Sequence, residues 1–245
     1  MIARRRLLAL AAALAATACS GPVPPCVPRI VVDVGHTPDA PGTTSAAGID
    51  ELTFNRRFAA RLDEALHALL PPGGTATVIE TADPDPRLDR RVAALAAAAP
   101  SLILSVHHDS VQERYLTRRT VDGREQTQTD AAAGFSLFVP ADTAVAADSR
   151  QAATAIADAL LAIGERPSLH HAEPIDGENR RLLDPARGIY AGDFLKILRT
   201  AAAPAVLLEV GVIKNPAEEQ RLSDPETIGR IAGAVARAVA ASPCR

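Results

Sequence analysis

The feature that most constrains this chain is the regular alternation of short β-branched runs with longer segments of helical period. Arg29–Val34, Ala76–Glu80, Ser101–Val106, Phe135–Val139 and Ala205–Val210 read as strands. Between them, apolar residues recur at helix spacing. Leu52, Phe58, Ala59, Leu62, Leu66 and Leu69 form one such face, and Pro71-Pro72-Gly73-Gly74 stops it. Further helices are expected over residues 87–98, 144–163, 192–202 and 228–240. In the last, Ile228, Ile231, Val235 and Val239 fall in register. This order predicts an α/β fold with a mostly parallel, twisted sheet of about five or six strands, covered by helices on both faces. The polar stretch Gln112–Thr129 reads as a long loop, and residues 165–190 as irregular.

With 245 residues the chain can bury one substantial core, and no internal repeat or second domain is evident. Its 47% hydrophobic and 22% charged residues are those of a globular protein. A formal charge of -3 and the absence of a basic stripe argue against nucleic acid as a partner. Trp is absent and aromatics are only 3%, which excludes a Trp platform for glycan or peptide.

The N-terminus reads as a processing segment. Arg4, Arg5 and Arg6 precede a short apolar run, Leu7–Ala16, and Ala16-Thr17-Ala18 then precede Cys19. The pattern resembles a bacterial lipoprotein cleavage site, with residues 1–18 as signal peptide and Cys19 as the lipid-bearing first residue. Simple cleavage after Ala18 is the plainer reading. Either way the chain is expected to be exported to the periplasmic side of the envelope. Residues 19–28 form a Pro-rich tether, and 29–245 a single domain. Cys26 and Cys244, near the two ends of the mature chain, form a candidate disulfide in an oxidising compartment.

Open α/β sheets bind ligands beyond the carboxyl ends of their strands. Four residues fall there or close by. His36 follows the first strand, His107 follows the third, Glu209 ends the fifth, and Glu51 opens the helix after the His36 loop. Two imidazoles and a carboxylate leave a zinc coordination position open, as in catalytic sites. A second carboxylate on an apolar strand suits a proton carrier. Spacing alone leaves a plainer reading: His36 as a turn residue and Glu51 as a first-turn acid. No Ser-His-Asp order or Cys motif competes.

Motifs sharpen this. Asp33-Val34-Gly35-His36, Glu51 with Leu52 and Asn55, Ser105-Val106-His107 and Leu208–Asn215 followed by Glu218 resemble, in order, the motifs of the zinc-dependent N-acetylmuramoyl-L-alanine amidases. The likeness runs from about Ile30 to Ala240. It implies one zinc ion held by His36, Glu51 and His107, with Glu209 as the acid–base residue. It also implies peptidoglycan or muropeptides as substrate. The bond cut would be the amide between the lactyl group of N-acetylmuramic acid and L-alanine.

The chain departs from the family pattern at Thr37–Pro41, at His108-Asp109, and at Val212 and Lys214. In an extended strand end His107 and His108 point to opposite sides, and the resemblance selects His107 as ligand. Asn55, His108, Asp109, His170, His171 and Asn215 are candidates for substrate or supporting contacts. Arg180 or Arg181 is a candidate partner for a peptide carboxylate. Some relatives carry a helix that blocks the site until a protein activator withdraws it. Neither 110–134 nor 164–190 shows such an amphipathic helix. Two other readings stand: a zinc peptidase cutting a different bond, and a non-catalytic wall-binding lipoprotein.

Overall fold

The computed structural model describes residues 26–81, 84–85, 87–121 and 123–242. The leader, Cys19 and Cys244 lie outside the described residues, and with them the lipid-anchor and disulfide expectations. Among the described residues no helix is long and apolar enough to cross a membrane.

In chain order the elements are β1 (Arg29–Val34), α1 (Glu51–Leu69), β2 (Thr75–Ile79), α2 (Asp89–Ala97), β3 (Leu102–Asp109), β4 (Thr117–Val121), β5 (Arg124–Gln128), β6 (Ser136–Val139), α3 (Ala146–Ala162), β7 (Leu182–Asp184), β8 (Ile189–Ala191), α4 (Lys196–Arg199), β9 (Ala205–Val212), α5 (Pro216–Ser223) and α6 (Pro225–Ala241). The main sheet runs β2-β1-β3-β9-β6-β8-β7. Pairing is parallel from β2 through β9 and between β6 and β8, and antiparallel at β6/β9 and β7/β8. The α/β class and the mostly parallel, helix-flanked sheet agree with the sequence.

Strand alternation sorts the core into two layers. Ile30, Val32, Leu104, Val106, Val206 and Leu208 belong to the larger cluster, shared with Phe58 and Leu62 of α1, Ile156 of α3 and Val235 of α6. Val31, Ile103 and Leu207 face the other way, onto Leu95 of α2 and Ile197 and Leu198 of α4. That second layer is the thinner one. The odd-numbered positions that continue it, Ser105, His107 and Glu209, lie toward the strand ends.

Three parts of the structure differ from the sequence reading. The polar stretch 112–129, expected as a loop, contains the antiparallel hairpin β4–β5, registered from Thr117 opposite Gln128 to Val121 opposite Arg124. Its strands lack an apolar alternation, which hid them, although Asp122-Gly123 is a hairpin-turn signal. Residues 165–190 supply two three-residue strands, β7 and β8, which extend the sheet to seven strands. Helix α5 was also unexpected. Asn215 caps it, its side chain accepting from Ala217 N (3.0 Å) and Glu218 N (3.4 Å), with Pro216 in the first turn. Neither 110–134 nor 164–190 contains an α-helix among the described residues.

Leu62 is fully buried in the larger layer, while Arg61 beside it is exposed. Leu62→Ala is expected to cost about 2–5 kcal/mol of stability and Arg61→Ala less than about 0.5 kcal/mol. Urea unfolding of both variants checks this, and equal losses would refute the assignment of the core face.

Candidate active site

Pairing places the functional residues side by side. Asp33 is paired with Ser105 across β1/β3, and His107 with Glu209 across β3/β9. Parallel partners project to the same face, so His107 and Glu209 stand next to each other on the thin side of the sheet. His36 enters from the loop after β1. Glu51 reaches in from the first turn of α1.

Glu51 is the hub of the cluster. Its Oε2 lies 2.9 Å from His36 Nε2 and accepts from Thr43 N at 3.2 Å. Its Oε1 lies 3.0 Å from His107 Nδ1 and accepts from His108 N (3.2 Å) and Asn55 Nδ2 (3.3 Å). Glu51 is 4% exposed, and these contacts offset the cost of burying its charge. Burial pushes its pKa up, but hydrogen bonds from His107 and His36 outweigh that and hold it well below the usual carboxylate range. The His36 and His107 rings meet edge-on at 4.9 Å. The three side chains have ligand atoms within 4.8 Å of one another.

Backbone shape lets this cluster close. A Cβ on Gly35 would sit 2.5 Å from the His107 ring. One on Gly42, where φ is +82°, would sit 2.3 Å from Glu51 Oε2 and 2.7 Å from the His36 ring. His36 itself has φ of 68°, a left-handed conformation that costs a non-glycine residue about 1–2 kcal/mol. Arg91 from α2, almost fully buried, donates to the His36 carbonyl through Nη2. Its Nε lies 3.5 Å from the buried Asp33 carboxylate, which also accepts from Ser105 Oγ at 2.7 Å. Asp33 in the first motif is therefore a support for the loop that carries His36. The sequence had no signal for this role of Arg91, since His36 and Asp33 lie 55 and 58 residues before it.

Asn55 and His108 brace the hub from the other side. Asn55 Nδ2 donates to Gly35 O at 3.3 Å, and its Oδ1 lies 2.8 Å from His108 Nδ1. The His108 ring packs against Phe54 and Phe58 of α1. Burial lowers its pKa to about 3, so the imidazole is neutral there. The expectation that His107 and His108 diverge is met. The loop after β1 is pinned in turn: Ser45 Oγ and Ala47 N donate to Glu219 of α5 (2.5 and 2.8 Å), and Lys214 Nζ donates to Thr44 and Thr127.

Glu209 is half-buried, and its Oε2 is buried without a hydrogen-bond partner. Burial raises its pKa well above the usual carboxylate range, and the charges of Asp109 and Glu51 add to the effect. Two recesses open here. One of about 440 Å³ is lined by His36, His107, Leu88, Leu195 and Leu207. The other, about 260 Å³, is lined by Glu209, Asp109, His171, Glu178, Arg180 and Phe194. Leu195 borders both. His170 stands beside His171 on a short 3-10 turn. Asn215 is engaged elsewhere, capping α5 and donating to Ala132 O at 3.0 Å, which accounts for its place at the end of the last motif.

An open His-Glu-His cluster next to a second, protonation-prone carboxylate has the composition of a hydrolytic metal centre on an α/β sheet. The comparisons give the family. Residues 30–241 match the profile described as N-acetylmuramoyl-L-alanine amidase, and the chain belongs to that family. The fold is similar to that of the N-acetylmuramoyl-L-alanine amidase from Clostridium difficile 630, with 18% identity, TM-score 0.66, and 87% of this chain and 95% of that one covered. It is likewise similar to the amidase Ami1 from Mycobacterium smegmatis, with 23% identity, TM-score 0.66 and the same coverage. Ami1 from Mycobacterium abscessus, in its apo form, gives 21% identity and TM-score 0.66 over 88% of this chain and 98% of that one. No curated protein matches the sequence.

Gly35→Ala is expected to displace the His107 ring and to weaken binding of a divalent metal at the cluster at least about tenfold, a loss of about 1.4 kcal/mol. The circular dichroism spectrum should be retained. Unchanged zinc affinity in a calorimetric titration would show that the close approach of Gly35 to His107 is immaterial.

Proposed function

We propose that this chain hydrolyses the amide between the lactyl group of N-acetylmuramic acid and L-alanine in peptidoglycan stem peptides. One zinc ion would be held by His36, Glu51 and His107, at the carboxyl ends of β1 and β3, with Glu209 moving the protons. The observation that carries this reading is the Glu51 carboxylate shared between two imidazoles, beside an unpartnered Glu209 oxygen on the neighbouring strand. The donor set fits: two imidazole nitrogens and a carboxylate oxygen converge, and the protein leaves a further position open.

When bound, zinc supplies an acidified water and a positive charge for the oxygen of the scissile carbonyl. The chain's own residues do the rest. Glu51 and the two imidazoles fix the place of attack. Asn55 and Arg91 hold the hub and the His36 loop in position. The Glu209 carboxylate takes a proton at Oε2 from the attacking water and delivers it to the departing amine of L-alanine. Leu88, Leu195 and Leu207 give the recess an apolar wall beside His36 and His107.

We further propose that residues 1–18 direct export, that Cys19 carries a lipid on the periplasmic side of the envelope, and that 29–245 acts as one catalytic domain. We also propose that Cys26 pairs with Cys244; what favours this is that Pro28 and Ser242, two residues from each cysteine, line a common recess. A second reading, a zinc peptidase cutting another bond of the stem, is favoured by Arg180. Its guanidinium lies over Phe194 at 4.0 Å and lines the recess of Glu209, where a peptide carboxylate would be recognised.

Zinc-loaded protein on defined muropeptides, with products read by mass spectrometry, separates these readings. Release of the intact stem peptide from muramic acid is expected, abolished by chelation and restored by zinc. Glu209→Gln should lower the rate about 10²–10⁴-fold while keeping its zinc. Cleavage within the stem would favour the peptidase, and full activity in Glu209→Gln would remove the assigned proton carrier.

A further inference from the structure

A second group of metal-competent side chains lies outside the His36–Glu51–His107 cluster. Asp109 ends β3, beyond the irregularity that follows His107. His170 and His171 stand on the 3-10 turn. The ligand atoms of these three residues lie within 4.8 Å of one another. Asp109 Oδ2 is 2.8 Å from His171 Nε2 and 3.4 Å from His170 Nε2. The two rings lie 3.9 Å apart, so both imidazoles present the same nitrogen to the same oxygen.

His170 is the telling member. It is only 9% exposed, and its Nε2 is buried without a hydrogen-bond partner. Its Nδ1 lies 2.9 Å from Ser168 Oγ. With the proton on Nδ1, the Nε2 lone pair faces a carboxylate oxygen. With the proton on Nε2, the 3.4 Å approach makes no hydrogen bond. In neither arrangement does Nε2 gain a well-formed hydrogen bond, although the Ser110 backbone is near enough to interact with the ring, and a buried polar atom in that state calls for a water, ligand or ion. A cation between the three atoms satisfies all of them.

The surroundings are built for that role. Glu178 Oε2 lies 2.8 Å from His171 Nδ1, and Gln112 Nε2 donates to the other Glu178 oxygen at 3.0 Å. A carboxylate behind the imidazole is how proteins orient a metal-binding histidine. The turn is anchored as well, because the Ser168 carbonyl accepts from Tyr190 Oη at 2.9 Å and Ser136 Oγ at 3.3 Å. Phe138 and Tyr190 wall the His171 ring.

We propose that Asp109, His170 and His171 form a second cation site, for one divalent ion of borderline softness such as zinc. Two imidazole nitrogens and one carboxylate oxygen suit that class and leave a position open. Asp109 and His171 line the recess that also holds Glu209 and Arg180, so the open position is available to an anionic oxygen of a ligand there. The rival arrangement is a metal-free ion pair of His171 with Asp109 and Glu178. It predicts no zinc uptake at these residues.

The site does not depend on the first centre, and the test keeps the two apart. The whole chain, stripped of metal, is titrated with zinc alone, and bound equivalents are counted by calorimetry and elemental analysis. Two equivalents are expected for the unaltered chain, one for His36→Gln, and one for the pair His170→Gln with His171→Gln. Cobalt bands that persist in His36→Gln and vanish when the His170 and His171 changes are added would identify the ligands. Melting curves check folding, and Asp109→Asn replaces the paired variant if that variant is unfolded. One equivalent, lost in His36→Gln and kept in the paired variant, would overturn the second site and leave the first. One equivalent lost only in the paired variant would support the second site and sink the first. No zinc uptake at all would overturn both.

Discussion

The structure of this site depends on one buried carboxylate. Glu51 has five partners within hydrogen-bond distance: two imidazoles, two backbone amides and one side-chain amide. They come from the loop after β1, from β3 and from α1 itself. A carboxylate in so dry a place is tolerated only if its partners are held still. The elements around it serve that end. The β1/β3/β9 register brings the strand ends together, Gly35 and Gly42 remove the Cβ atoms that would obstruct, and Arg91 holds the left-handed His36 by its carbonyl.

The same logic separates the two acids. Glu51 and Glu209 are both shielded from water, yet their environments push them in opposite directions. Imidazoles surround Glu51 and keep it ionised. Glu209 has an apolar strand, no partner at Oε2, and the negative charges of Asp109 and Glu51 for neighbours. In the proposed reaction the two carboxylates would divide the labour of holding charge and moving protons.

Much of this was legible in the sequence because it rests on short-range pattern. The five β-branched runs are five strands of the sheet, and the long helices fall where their apolar period put them. The divergence of His107 and His108 follows from strand geometry alone. What the sequence concealed depends on partners far along the chain. The hairpin β4–β5 is polar on both faces, so no alternation marks it, and the three-residue strands β7 and β8 exist only because β6 offers an edge. Arg91 reads as one more helix arginine until Asp33 and His36 are placed beside it. Helix α5 is different: Asn215-Pro216 with two following glutamates is a helix start signal, and the same asparagine also ends a family motif. Asp109, His170 and His171 were visible as residues, but only the fold brings them to one point.

The most direct test of the account is zinc-edge anomalous diffraction from crystals of the zinc-loaded protein. A peak is expected about 2.0–2.2 Å from a nitrogen of His36, a nitrogen of His107 and a Glu51 oxygen, with Glu209 nearby and not bonded to the ion. A zinc-loaded crystal with no peak among these three residues, their side chains still closed on one another, would contradict it.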